Sequence, residues 1–198
     1  MLELIPLLSF VLIASITPGP NNIMLATAGA SAGFRATVPH MLGISIGLAV
    51  QIALVGAGIA TLIHQYPTIT VVMRVLAVGY LLWLALRLLR PQPGLAKSAA
   101  GQPPSFAGAA LFQWVNPKAW MMALTINAAF LPTNLTPEAA IAQVALVSAI
   151  ANLPCIACWA IAGSSIRHHL ADPVRRRSFD SVMGLALAGT ALWLAISQ

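Results

Sequence analysis

Charge is what this sequence has least of: 7% of its 198 residues are Asp, Glu, Lys or Arg. A soluble globular domain carries about 25%. With 59% of the chain hydrophobic, the polar residues cannot cover a water-facing surface, so apolar side chains must face lipid as well as one another. Acidic residues are the scarcest. Glu3, Glu138, Asp172 and Asp180 are the whole complement, and none lies near the centre of an apolar run. That argues against a buried carboxylate for a cationic substrate, and against the usual intramembrane carboxylate proton relay. Cysteine is limited to Cys155 and Cys158, three apart in one apolar run. Without a second pair they read as small packing residues rather than half a zinc site. His40 and His64 at helix ends, and His168 and His169 in a basic loop, read as interfacial, so no metal cluster and no cofactor is expected. No nucleophile shares its depth with a base, which disfavours an intramembrane enzyme. The formal net charge is +6, but the cations form no stripe with interleaved aromatics, so no nucleic-acid partner is expected.

What is present is length in the apolar runs. A bilayer core needs about 20 apolar residues per helix. Six segments qualify: Leu4–Ala30, Pro39–Ile63, Ile69–Leu89, Phe106–Leu131, Ala139–Gly163 and Ser178–Ser197. The first lacks a basic n-region and runs past signal-peptide length, so it reads as a retained helix. Pro91–Ser105, rich in Pro and Gly, is the one long linker. Arg35, Arg87, Arg90, Lys97, Arg167, Arg175, Arg176 and Arg177 fall on one side, with no Lys or Arg in the opposite loops or at the termini. Both termini are therefore expected to face away from the cytoplasm.

The two halves resemble each other. Met73–Ala85 and Met183–Ala195 share M, then G, then L-W-L-A, at an offset of 183 − 73 = 110 residues. Pro18 and Pro117 fall at similar depths in the first helix of each half. Three helices per half means that the second inserts upside down, and inverted repeats with matching interrupted helices are a transporter signature. The expected fold is an all-α integral membrane protein with six transmembrane helices. They form two inverted three-helix repeats, with helices one and four interrupted near mid-membrane. One transmembrane domain covers residues 1–198, with repeat one at about 1–90, a cytoplasmic linker at about 91–105 and repeat two at about 106–198.

The interruptions carry the candidate chemistry. In Thr17-Pro18-Gly19-Pro20-Asn21-Asn22, Pro18 and Pro20 offer no N–H, so the carbonyls of Ala14 and Ile16 lose their helical donors. Broken backbone at this depth is tolerated only against protein or a water-filled cavity. Pro20 can start a new half-helix whose N–H groups at Asn21, Asn22 and Ile23 would attract a carboxylate, while freed carbonyls would accept from an ammonium. In Gln113-Trp114-Val115-Asn116-Pro117-Lys118, Pro117 frees the carbonyl of Gln113 and Lys118 places an ammonium deep in helix four. It would pair with a substrate carboxylate or with carbonyls freed in helix one, or else snorkel to the interface. Asn152 adds an amide beside Pro154 in helix five. Gly43, Gly47 and Gln51 share one face of helix two and read chiefly as packing, with Gln51 a candidate to line the path. The expected substrate-binding set is Pro18, Gly19, Pro20, Asn21, Asn22, Gln113, Asn116, Pro117, Lys118 and Asn152, facing a small neutral zwitterion.

T-P-G-P-N-N, G-F-R at Gly33–Arg35, G-I-S-I-G at Gly43–Gly47, Y-L-L-W-L at Tyr80–Leu84, V-N-P-K at Val115–Lys118 and N-L-P-C at Asn152–Cys155 resemble the lysine exporter/RhtB superfamily of amino-acid efflux proteins. The resemblance implies a bacterial inner-membrane exporter and keeps its signature positions at Pro18–Asn21 and Asn116–Lys118. T-P-G-P-N-N-I and the Cys-containing fifth helix are most similar to the branch exporting cysteine and O-acetylserine, with the homoserine/threonine and leucine branches close by. Active export would need a coupled ion. Proton antiport is one scheme, with Asp180 and Lys118 the titratable candidates. An accessory membrane subunit is the rival reading. Small-residue faces would suit a homodimer and internal packing equally.

Overall fold

The computed structural model describes residues 4–59, 65–90 and 104–196, and among these it is all-helical, without strands. The first apolar run is two helices, α1 (Leu4–Ile16) and α2 (Pro20–Ala32), bent by 56° where they meet. The bend follows from Pro18 and Pro20, which cannot donate to the preceding turn. Gly19 between them is fully extended (φ −176°, ψ 174°), and Pro20 opens α2 at the position where a missing N–H costs nothing. Gly33 then takes φ +85°, a conformation that only glycine adopts cheaply. The chain turns on that single residue into α3 (Phe34–Leu54), which ends in a π-helical turn, Val55–Ile59.

The third run is α4 (Pro67–Leu89). The fourth is again broken, into α5 (Phe106–Phe112) and α6 (Pro117–Ala129). Asn116 caps α6 by accepting from the N–H of Lys118 at 3.2 Å. A single long helix, α7 (Pro137–Ser165), follows, capped by Thr136 Oγ1 accepting from Ala139 N–H. A short 3₁₀ turn at His169–Ala171 leads to α8 (Pro173–Ile196). By length and composition, four helical stretches suit a membrane span (Phe34–Ile59, Val71–Leu89, Pro137–Ser165 and Pro173–Ile196), and the bent α1–α2 pair makes a fifth.

The packing alternates between the chain's halves. α1 and α2 lie against α7, while α5 and α6 lie against α3; α3 packs on α7, and α4 on α8. Glycines set the closest crossings. A Cβ on Gly163 would sit 2.0 Å from the carbonyl oxygen of Ala26, and one on Gly43 2.3 Å from that of Phe106. Gly47 approaches Ala110 and Gln113 in the same way. Gly43 and Gly47 therefore seat α5 on α3. Outer faces of α4 and α8, at Val75, Leu86, Leu185 and Leu192, expose large apolar side chains. On a multi-pass protein these faces meet lipid, which explains why so few charges suffice.

Several sequence boundaries move. The second run starts at Phe34 rather than Pro39, because Gly33 reverses the chain at once, and Pro39 lies inside α3. Pro154 likewise lies inside a continuous α7. Arg175, Arg176 and Arg177 belong to the first turns of α8, not to a loop. His40 is completely buried in α3, not interfacial. Most of the Pro91–Ser105 linker, Glu3, His64 and Lys97 lie outside the described residues.

Candidate functional site

Both helix breaks strand backbone carbonyls, and side chains meet those of Ala14, Ser15, Ile16, Thr17 and Trp114, while that of Gln113 also accepts from Asn116 N–H. At the first break Thr17 Oγ1 donates to the carbonyl of Ala14 (2.9 Å) and Trp159 Nε1 to that of Ile16 (3.0 Å). Asn22 Nδ2 donates to the carbonyls of Ser15 (2.8 Å) and Thr17 (2.7 Å). The second break is tighter. Residues 113–116 form a turn in which each N–H reaches back three residues. There Gln51 Nε2 donates to the carbonyl of Gln113 (3.3 Å) and Trp120 Nε1 to that of Trp114 (2.8 Å). Trp159 and Gln51 are exchanged partners: Trp159 of α7 serves the first break and Gln51 of α3 the second. An unpaired carbonyl in lipid costs several kcal/mol, so these donors are what make the breaks tenable.

The two breaks face each other. Lys118 Nζ donates to the carbonyl of Thr17 (2.6 Å), to Thr17 Oγ1 (2.9 Å) and, at 3.4 Å, to the carbonyl of Pro18. Asn21 Nδ2 donates to Gln113 Oε1 at 3.1 Å. Beside them runs a buried chain across three helices: Ser45 Oγ donates to Asn152 Oδ1 (3.0 Å), and Asn152 Nδ2 donates to Ser15 Oγ (2.8 Å). Ser15, Asn21, Gln113, Lys118 and Asn152 of these line a cavity of about 30 Å³, enough for a water or two rather than an amino acid. Among the described residues its one charged lining residue is Lys118, and no carboxylate lines it. Asn21 Oδ1, buried in this wall, has no protein donor.

Of the residues expected from sequence, Gly19, Asn21, Asn22, Gln113, Asn116, Lys118 and Asn152 line this cavity. Pro18, Pro20 and Pro117 are not among its lining residues; they shape the breaks. Gln51 is fully buried behind the wall and caps the second break rather than lining a path. Gly43, Gly47 and Pro154 also stand back from the cavity. Two details differ from the sequence reading. The N–H of Ile23 is taken by the carbonyl of Gly19 (3.0 Å), because extended Gly19 places its oxygen in helical register. Lys118 is not a dozen residues into a helix but the second residue of α6, because Asn116–Pro117 starts the helix anew. Sequence reasoning missed Ser15, Ser45 and Trp159 as members of the site. Their signal was slight: a serine two residues before T-P-G-P, a serine between two glycines, and a Trp one turn past Cys155.

At the basic end, Arg176 pairs with Asp180 (2.8 Å) and donates to Ser31 Oγ (2.7 Å). Arg177 donates to the carbonyls of Leu88 and Leu89. The start of α8 thus ties the ends of α2 and α4. Cys155 is buried and Cys158 exposed, both as free thiols.

Broken helices that enclose a polar cavity within an apolar helical shell define a multi-pass membrane translocator. The profile of the LysE type translocator family matches residues 12–198. The chain is 30% identical over 157 residues to a cysteine/O-acetylserine efflux protein of Klebsiella pneumoniae, covering 79% of each chain. It is 30% identical over 156 residues to the protein of that description from Salmonella typhimurium, covering 78% of this chain and 79% of the relative. With the Escherichia coli K12 protein so described it is 28% identical over the same length and shares. No solved structure matches. The chain belongs to the LysE-type translocator family: it is a transporter, not an enzyme.

Proposed function

We propose that this protein exports small neutral amino acids or close derivatives, cysteine and O-acetylserine first among them, across the bacterial inner membrane. The observation that carries this reading is the Lys118 ammonium held on the carbonyls of Thr17 and Pro18. Lys118 occupies a cluster of acceptors suited to the ammonium of an amino acid. On binding, the substrate ammonium takes the carbonyls and Asn21 Oδ1, and the displaced Lys118 meets the carboxylate, aided by the N-terminus of α2. One ammonium replaces another on the carbonyls and the displaced one pairs with the carboxylate, so the site needs no Asp or Glu and favours a neutral zwitterion. The relatives, cysteine/O-acetylserine efflux proteins, support the same substrate class.

The transport cycle rocks two inverted three-helix halves about this site. Six spans follow if α5 and α6 count together as the fourth, alongside bent α1–α2. The exchanged packing supports an inverted repeat, because swapping the halves leaves the pairings unchanged: broken helix on the other half's middle helix, middle on middle, last on last. Cations at the start of α3, at the end of α4, just past α7 and at the start of α8 support a cytoplasmic placement for that face, with both termini opposite. Residues 1–198 act as one domain.

Counterflow in proteoliposomes tests this directly. Purified protein, preloaded with unlabelled cysteine, O-acetylserine, threonine or leucine, should accumulate the matching tracer. A rate that follows an imposed pH gradient would assign proton antiport. Silence across the panel from folded, inserted protein would remove neutral amino acids as substrates.

A further inference from the structure

A second cavity lies toward the basic end, with about 240 Å³ of room for water-sized centres, eight times that of the central one. Its walls come from α2 (Met24, Thr27, Ala28), α4, Leu187 of α8 and Pro104. The two cavities share no lining residue, yet they follow one another along α2. Asn21, Met24 and Ala28 are spaced three and four apart, so they share one helical face. Asn21 looks onto the central cavity; Met24 and Ala28 line the second. Phe112 links the walls of the two cavities. The rings of Tyr80 and Phe112 meet at 5.0 Å, and Phe112 packs with buried Met24 in one apolar cluster. Phe112 is the last residue of α5, adjoining Gln113 at the second break. A change at that break therefore moves Phe112.

The second cavity is not purely apolar. Arg87 lines it, with its guanidinium over the Trp83 ring at 5.4 Å. A stacked guanidinium is pre-oriented, and its planar fork of donors matches a carboxylate. Arg87 also belongs to the last turn of α4, whose neighbouring carbonyls are tied to Arg177, so the cavity mouth is at the basic face.

We propose that the second cavity is the vestibule of the transport path, which receives the amino acid with its carboxylate at Arg87 and passes it to the central cavity when Tyr80 and Phe112 part. This rests on the amino-acid reading above and adds where the substrate waits and what it must pass. The size difference fits: the vestibule has room for a small amino acid while the central cavity is closed down. The vestibule's wall is set by α2 and α4, and the position of Phe112 by α5, so rocking of the halves opens one chamber into the other.

Thiol accessibility tests the proposal without depending on substrate. In a full-length Cys155→Ser, Cys158→Ser protein in proteoliposomes, Thr27→Cys should react with a charged, membrane-impermeant methanethiosulfonate from the same face as Ser178→Cys at the basic end. Ala119→Cys in the central cavity should react slowly from that face. Adding Phe112→Ala, or the milder Phe112→Leu, should speed the Ala119→Cys reaction about tenfold, the equivalent of roughly 1.4 kcal/mol of lost closure, while the Ser178→Cys rate stays unchanged. O-acetylserine should protect Thr27→Cys, and Arg87→Gln should raise the protecting concentration about tenfold, with Arg87→Lys between. A Thr27→Cys that no aqueous reagent reaches gives the cavity to lipid and overturns the proposal, as does an Ala119→Cys rate indifferent to both Phe112 variants. Failure of counterflow together with normal labelling would instead remove the amino-acid reading and leave the two-chamber path standing.

Discussion

The ammonium nitrogen of Lys118 lies 2.6 Å from the carbonyl oxygen of Thr17, joining the two helix breaks across 101 positions of chain. The pairing is not there for stability. Lys118 is the second residue of α6, and a cation in a first turn sits at the unfavourable end of the helix dipole. A Lys within the membrane costs at least about 2.5–3.5 kcal/mol on insertion scales. Three oxygen acceptors offset that cost without making the charge an asset to folding. Lys118→Gln should therefore keep or raise the thermal midpoint in detergent while counterflow is lost. Lys118→Arg, which keeps the charge, should retain part of it. Wild-type counterflow in Lys118→Gln would detach this residue from transport.

Gly19 gives Lys118 its room. A Cβ there would meet Lys118 Cδ at 3.0 Å and Nζ at 3.3 Å. These atoms end a flexible side chain, so the fold can absorb the methyl while the ammonium is displaced. Gly19→Ala should lower transport rate with little change in thermal midpoint. Equal losses of both would mean that Gly19 matters for the bend alone.

Two glycines on adjacent long helices should respond oppositely to the same methyl. At Gly163 it would strike the backbone of Ala26 at 2.0 Å; at Gly189 nothing lies within 4 Å. Gly163→Ala should destabilise by about 1–3 kcal/mol through overpacking. Gly189→Ala should be neutral or stabilising by up to about 1 kcal/mol, the helix preference of Ala over Gly. Paired thermal denaturation in one detergent reads the contrast.

Asn152 holds Ser15 and Ser45 in one chain across α1, α3 and α7. Polar contacts between membrane helices average only about 0.6 kcal/mol, so Asn152→Ala should cost roughly 1 kcal/mol of stability or less. Its larger effect should fall on the substrate concentration for half-maximal counterflow, since Ser15 and Asn152 line the central cavity. A normal half-saturation value would leave this chain a structural one.

Outside the membrane, Asp172 Oδ1 accepts from the N–H groups of Val174 (2.7 Å) and Arg175 (3.2 Å) at the start of α8. Those bonds, that from Arg175 foremost, hold its carboxyl below the usual carboxylate range. The stabilisation is complete above the ordinary Asp value of about 3.9 and is lost as pH falls through the lowered native value. Wild type should exceed Asp172→Ala in thermal midpoint by a constant margin above about pH 5, and the two should converge in acid. A margin unchanged in acid would show that the charge is irrelevant to the cap.

The breaks were legible in the sequence because proline chemistry is local: P-G-P and N-P cannot continue a helix whatever surrounds them. The choice between Lys118 snorkelling and reaching Thr17 was not legible, since it depends on how two segments 101 residues apart come to face each other. The hydrogen bond of Gln51 was not legible for a related reason. Its spacing with Gly43 and Gly47 identified a packing face, but only the docking of α5 puts the Gln113 carbonyl within its reach. His40 looked interfacial because Pro39 read as a helix start, whereas Gly33 starts α3 earlier and carries His40 into the core. Ser15 and Ser45 are ordinary small residues in an apolar run, and only their shared partner Asn152 distinguishes them.

The exchange of caps between halves has a consequence for biogenesis. The carbonyl of Ile16 is met by Trp159, 143 residues downstream. While a ribosome is still making α1 and α2, that donor has not been synthesised, so the first break must wait for α7 before it is sealed. The Gln113 carbonyl faces no such delay, because Gln51 precedes it. The nascent chain is therefore most vulnerable at the first break, which is sealed only once α7 has been made.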